Sequence, residues 1–220
     1  EMSRGLGDVY KRQLSLLISF MGASCEDWLY DNVNEDAAHE VLPQQVLPVV
    51  LFYSAQLQFD HAEYGAYLTQ TLTTGGRNQT SSFAYKSGWG DFLTMNRHPQ
   101  WRRHFYDIGV NAKEIIDEAH EAQAWNLELI GRTLRLMSTQ MTTDLFGDMP
   151  RSEAYESNSP HYDTQESIYE WMNQEIEELI GMYEDPTYTE AATNIPIDQS
   201  IDRVFAGDLN KWKHYTYALK

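Results

Sequence analysis

Two amphipathic helices joined by a polar turn are predicted between Ala124 and Tyr183, and this stretch constrains the fold more than any other. In the first helix, apolar residues recur at steps of three and four, which is the period of one buried helical stripe. These residues are Leu127, Ile130, Leu134, Met137, Met141 and Leu145. The second stripe consists of Ile168, Met172, Ile176, Leu179 and Tyr183. Each stripe needs an apolar partner, so we expect a helix hairpin.

The turn between these helices carries its own stop and start signals. Gly147 occupies the position expected for a C-terminal cap, and Pro150 prevents the first helix from resuming. Asp163 is predicted to be the N-cap of the second helix, with Glu166 three residues later in a capping box. The chain is therefore expected to reverse within an ordered turn.

The rest of the chain predicts a mainly α scaffold. A third apolar stripe lies between Trp101 and Ala122 and pairs with the next helix across a short connection. Further helices are expected from Pro43 to Phe59, from Ala62 to Leu72 and from Leu209 onward, the last capped by Asp208. Helix hairpins in series are typical of a tetratricopeptide-like stack, here with long irregular loops at 73–100 and 184–205.

Four motifs identify a family. They are NAKEIIDEA, TDLFGDMPRSEAY, YDTQESIYEWMNQEIEELI and AGDLNKWKHYTYALK, spread from Asn111 to Lys220. In this order they closely resemble the SusD/RagB family of outer-membrane nutrient-binding lipoproteins. The resemblance implies a tetratricopeptide-like scaffold that acts as a lid on a SusC-type TonB-dependent transporter and captures oligosaccharide, without catalysis or a cofactor. Family members are considerably longer, so we expect that the domain is truncated at the C-terminus.

The N-terminal region resembles a lipoprotein export signal. An apolar run from Leu14 to Met21 and three small residues precede Cys25, the sole cysteine. We therefore expect 1–24 to be the remnant of a signal peptide, Cys25 to be lipidated, and 25–42 to be a tether before a SusD-like domain at 43–220. Residues 5–13 resemble an adapter-derived translation and are excluded from the fold. The expected location is the outer-membrane cell surface.

Charge and missing motifs exclude several functions. Sixteen basic and 33 acidic residues give a formal net charge of −17, which repels phosphate backbones and argues against nucleic-acid binding. The chain has no HExxH, GxSxG, Walker or dinucleotide-binding glycine motif. No residue spacing matches a metal site. We therefore expect neither an enzyme nor a metalloprotein.

Aromatic residues in the glycine-rich loop at 73–100 are the candidate ligand contacts. A flat aromatic ring can hold the apolar face of a sugar, while polar side chains bind its hydroxyls. Trp89 is the leading platform, followed by Tyr85 and Trp101, and the possible rim donors are Arg77, Asn78 and Gln79. The alternative is that each aromatic residue packs onto the scaffold beneath the loop.

Three other functions fit parts of the sequence. A peptide ligand is equally compatible with the family resemblance. A helical-repeat adaptor would bind a protein and no small ligand. A secreted glycoside hydrolase would need two suitably spaced carboxylates, which are plentiful in so acidic a chain but more typical of solvated helix faces.

Overall fold

Helices account for most of the residues that the structure describes. The computed structural model describes residues 42–69, 71 and 99–220, which fall within the second of two units, Leu42–Lys220. The helices are α1 (Pro43–Leu68), α2 (Pro99–Arg102), a π-helical segment (Arg103–Val110), α3 (Asn111–Glu121), α4 (Trp125–Phe146), α5 (Gln165–Glu184), α6 (Pro186–Thr189) and α7 (Leu209–Ala218). The prediction of a mainly α scaffold is confirmed.

Helix α4 lies at the centre of the unit. It packs against α3, α1 and α5, and α7 packs against both α5 and α4. The three-residue connection between α3 and α4 forms the first hairpin, and the segment between α4 and α5 forms the second. The apolar stripes predicted for these helices supply much of the core: Ile108, Ala112, Ile115, Leu127, Ile130, Leu134, Met137, Ile168, Met172, Ile176 and Leu179 are all buried.

Two predicted helix boundaries are wrong. Helix α1 continues without a break from Pro43 to Leu68, with Pro48 inside it. The helix runs through Asp60, where we expected a break, and the Asp60 carboxylate pairs with Arg103 of the π-helical segment at 2.6 Å. The N-cap of α5 is Thr164, whose hydroxyl accepts from the backbone N–H of Ser167 at 3.2 Å, instead of Asp163.

The remaining predictions for the second half of the chain agree better with the structure. Gly147 ends α4 at a φ of 75°, a conformation that favours glycine. Asp208 caps α7 by accepting from the backbone N–H groups of Asn210 and Lys211. The long connection predicted at 184–205 contains one short helix, α6, and otherwise turns. Among the described residues, no helix is long and apolar enough to cross a membrane.

A buried ion-pair network joins α4 to α5. Arg132 donates to both carboxylate oxygens of Glu175, at 2.8 and 3.0 Å, and also to Glu178 at 2.8 Å. Glu128 of α4 lies 3.4 Å from the same guanidinium. Burial acts to lower the pKa of Arg132, but the hydrogen bonds to Glu175 and Glu178 raise it above its ordinary value. The network fixes the two helices in one register.

Replacing Glu175 with glutamine is expected to destabilise the fold by about 3 kcal/mol, because it leaves a buried guanidinium without its main counter-charge. Urea unfolding followed by circular dichroism measures this change. The matched control is Glu177→Gln on the same helix, since Glu177 pairs with Lys220 at 2.6 Å but its side chain is 63% exposed. Equal unfolding midpoints for the two variants would contradict the assigned role of the network.

Candidate ligand-binding site

An open aromatic groove lies between the π-helical segment and the segment that joins α4 to α5. Its volume is about 350 Å³, within the range of small-molecule sites. The lining includes Trp101, Phe105, Tyr106, Tyr155, Pro150 and Pro160. Tyr106 is 69% exposed, so one of its faces is accessible to a ligand. The groove therefore combines flat rings with an opening to solvent.

Trp101 anchors the rings on one side of this groove. Its ring centroid lies 4.7 Å from that of Phe105 and 5.2 Å from that of Phe146, which meets it edge to face. Tyr162 stacks on Trp101 with a centroid distance of 6.4 Å and an interplanar angle of 22°. Trp101 thus holds the cluster together, while Tyr106 and the half-exposed Tyr162 present more surface to solvent.

A second, more polar cavity lies beside the aromatic groove. Its volume is about 290 Å³, and its lining includes His104, Lys113, Asp117, Arg135, Arg151, Glu156, Tyr155 and Trp171. His104 lies in this wall, only 4% exposed, with Nδ1 2.8 Å from the hydroxyl of Ser138. Burial, followed by the charge of Arg135, lowers the pKa of His104 to about 3, so its imidazole is neutral at physiological pH.

Tyr155 contributes to the walls of both the groove and the cavity. Its hydroxyl packs directly against Gly109 of the π-helical segment. A β-carbon added at position 109 would lie only 1.7 Å from the hydroxyl oxygen. Burial raises the pKa of Tyr155 to about 12, so the hydroxyl stays protonated at neutral pH and can donate a hydrogen bond. A ligand spanning the two spaces would pass this side chain.

Asp163 holds the segment that carries Tyr155. One oxygen of its carboxylate accepts from the backbone N–H groups of Arg151 and Ser152, at 2.8 and 2.9 Å. Asp163 and Met149 also exchange two backbone hydrogen bonds of 3.1 Å. Burial acts to raise the pKa of Asp163, but the donors from Ser152 and Arg151 lower it overall. The carboxylate is therefore charged and orders the segment.

The structure describes one of the predicted ligand-contact residues, Trp101. Trp101 lies at the groove, where it mainly packs against other rings. The predicted contacts Trp89, Tyr85, Arg77, Asn78 and Gln79 and the predicted lipidation at Cys25 lie outside the described residues and stay predictions. Within the described ranges, no group of three His, Cys, Asp or Glu side chains is placed to hold a metal ion.

Sequence reasoning missed Tyr106, Tyr155 and Arg135. Tyr106 could have been found, because it is an aromatic residue off the apolar stripe of its helix. Arg135 stands between Leu134 and Leu136, so a charge interrupts an apolar run. Tyr155 gave no such signal, since its position depends on a contact with Gly109, 46 positions earlier in the chain.

Gly109→Ala is expected to destabilise the protein by about 1–3 kcal/mol, because the new methyl group would collide with the Tyr155 hydroxyl and the His104 carbonyl. Urea unfolding measures the change. In the control, Gly181→Ala of α5, the new methyl group meets nothing within 4 Å, so alanine should stabilise by about 0.5–1 kcal/mol. Stabilisation by both alanines would show that Tyr155 does not close on Gly109.

His161, near the end of the same segment, is expected to titrate above its ordinary pKa of 6.5. Its Nδ1 lies 3.0 Å from the carboxylate of Glu153, and that hydrogen bond and charge raise the pKa. An NMR titration of the imidazole protons should give a lower pKa in Glu153→Gln than in the unaltered protein. Glu156→Gln, a control in the same segment, should leave the titration unchanged, and an unchanged midpoint in Glu153→Gln would refute the pairing.

Comparison with known proteins shows which proteins and which family this chain is similar to. A search of curated proteins finds no match. Among solved structures, a SusD/RagB family protein from Bacteroides thetaiotaomicron is similar, with a TM-score of 0.58 and 20% identity. The alignment covers 82% of this chain and 37% of that chain, so this chain spans little more than a third of that protein. At this identity, the likeness shows the fold alone.

A family model, SusD-like, described as starch-binding associating with outer membrane, matches residues 58–220. Because that match covers well over half of the 220 residues, the chain belongs to the SusD-like family.

Proposed function

We propose that this chain belongs to a nutrient-binding protein of the outer-membrane surface, which captures oligosaccharide in the aromatic groove. The observation that carries the proposal is the exposed ring of Tyr106 beside the Trp101 cluster. A sugar ring can stack its apolar face on such a surface, and family membership agrees with a ligand of this class. The role is binding without catalysis.

The polar groups beside the aromatic rings of the groove suit the hydroxyl groups at the edge of a sugar ring. Ser157 and Asn158 line the groove, and the protonated hydroxyl of Tyr155 can donate a hydrogen bond to a sugar oxygen. The groove is open on one side, which suits a segment within a longer chain of sugars as well as its end.

The proposal also covers anchorage and transfer. We propose that Cys25 carries the lipid that holds the protein at the cell surface. The captured saccharide would pass to a SusC-type TonB-dependent transporter, with the helical scaffold as its lid. A large and rigid interface is needed for a stable lid, and the packed hairpins α3–α4 and α4–α5 can provide one.

Tyr106→Ala in the full-length protein is expected to weaken oligosaccharide binding by about tenfold, because one stacking surface is lost. A glycan array identifies the ligand, and isothermal titration calorimetry measures the affinity. Tyr217→Ala is the matched control, since Tyr217 is an exposed tyrosine on α7, outside the groove. Trp89→Ala is measured alongside.

Each outcome separates the candidate sites. Loss of binding in Tyr106→Ala alone supports the groove, and loss in Trp89→Ala alone would move the site to the loop at 73–100. Binding of peptides with no glycan on the array would refute the sugar ligand while keeping the capture role. Release of shortened glycan products would refute a purely binding function.

A further inference from the structure

The polar cavity beside the aromatic groove contains two arginines that no carboxylate contacts. Arg135 comes from the middle of α4, and Arg151 comes from the segment after it. Within the described residues, no carboxylate oxygen lies within 4.0 Å of either guanidinium. The chain holds 33 acidic residues against 16 basic ones, so acidic partners are abundant elsewhere. Two unpaired guanidinium groups at one cavity are therefore unusual for this chain.

The other charges on the cavity wall already have partners. Lys113 forms an ion pair with Asp117 of the same helix and lies 3.7 Å from Glu156. The hydrogen bond to Asp117 raises the pKa of Lys113, in keeping with this pairing. Asp117 and Glu156 are the carboxylates that line the cavity, and both belong to the Lys113 cluster. Lys113, Arg135 and Arg151 against Asp117 and Glu156 leave the wall with one net positive charge, since His104 is neutral.

Arg151 is held in place but lacks a full set of hydrogen bonds. Its guanidinium carbon lies 4.7 Å from the centroid of the Trp171 ring, a cation–π contact that fixes its orientation. Its Nε atom is buried and has no hydrogen-bond partner in the described part of the chain. A buried N–H without an acceptor costs free energy, so an oxygen ligand here would be favoured.

Arg135 is half-buried and faces the same cavity. Burial lowers the pKa of Arg135, but a guanidinium remains charged at physiological pH. The wall beside it includes Thr139, the neutral His104 and Tyr155. A partly desolvated cation that no carboxylate contacts gains more from an anionic ligand than an exposed cation does.

We infer that this cavity is a subsite for an oxyanion substituent, a carboxylate or a sulfate ester, carried by the saccharide that binds in the aromatic groove. The volume of about 290 Å³ suits one sugar unit with its charged group. The planar guanidinium of arginine matches the geometry of such oxyanions. Tyr155, which lines both spaces, would lie between the stacked sugar and the charged one. The inference rests on the proposed function and narrows its ligand class to acidic glycans.

Calorimetry on the full-length protein tests this subsite with three probes. They are an oligogalacturonate, the neutral galacto-oligosaccharide of the same length, and the monosaccharide galacturonate. A sulfated galacto-oligosaccharide forms a fourth arm that distinguishes the two oxyanions. The unaltered protein should bind the acidic chain at least about tenfold more tightly than the neutral chain, and added salt should reduce this preference.

Arg135→Gln and Arg151→Gln should each reduce the preference for the acidic glycan to within about threefold, while the affinity for the neutral glycan is retained. Arg151→Gln lies outside the helices, so it keeps the test open if Arg135→Gln unfolds the protein. The control is Arg102→Gln, because the Arg102 side chain is 72% exposed and lies outside the cavity. This variant should keep the full preference.

The outcomes separate the subsite from the proposed function. Equal affinity for acidic and neutral glycans, or a preference that survives in both cavity variants, overturns the subsite and leaves saccharide capture standing. Binding of galacturonate that needs Arg135, without binding of any oligosaccharide, supports the anion site and overturns the capture proposal. No binding of any probe overturns the subsite, and it overturns saccharide capture as well when the glycan array also finds no ligand.

Discussion

The structure depends on the buried pairing of Arg132 with Glu175 across α4 and α5. A guanidinium in this position is costly unless its donors are satisfied, and the network supplies Glu175 and Glu178 at 2.8–3.0 Å. Because the geometry of such a pair is directional, sliding or rotating α5 along α4 would break it. The pairing therefore fixes how α5 lies along α4. That in turn sets the position of the segment that carries Arg151 and Tyr155.

Carboxylates stabilise the irregular segments by accepting hydrogen bonds from backbone N–H groups, whereas buried apolar stripes stabilise the helices. Asp163 accepts from two backbone N–H groups near one end of the α4–α5 connection. Asp202 accepts from the backbone N–H groups of Val204, Phe205 and Gly207, and also from the indole of Trp212 at 2.8 Å. Each buried N–H needs an acceptor, and one aspartate can serve several. Part of the chain's large negative charge is thus structural.

Periodicity predicted the helices from Trp101 to Tyr183, because each buries one stripe that the sequence displays. It failed at α1, which continues through the expected break, where Asp60 pairs with Arg103 of the π-helical segment. Long-range pairing of this kind has no local signature. The site was harder to predict for the same reason. Tyr155 lies where it does because Gly109 leaves room for its hydroxyl, a contact between residues 46 positions apart.

The candidate site lies between two segments that depart from regular α-helix, the π-helical segment and the connection between α4 and α5. The π-helical segment at Arg103–Val110 brings Gly109 against Tyr155 while Tyr106 projects outward. Segments of this kind recur at functional sites because they re-aim side chains that an α-helix would place elsewhere. Opposite it, the segment held by Asp163 presents Arg151. Both irregular segments are joined to the packed hairpins α3–α4 and α4–α5. The site therefore combines irregular backbone with the packed support that precise binding requires.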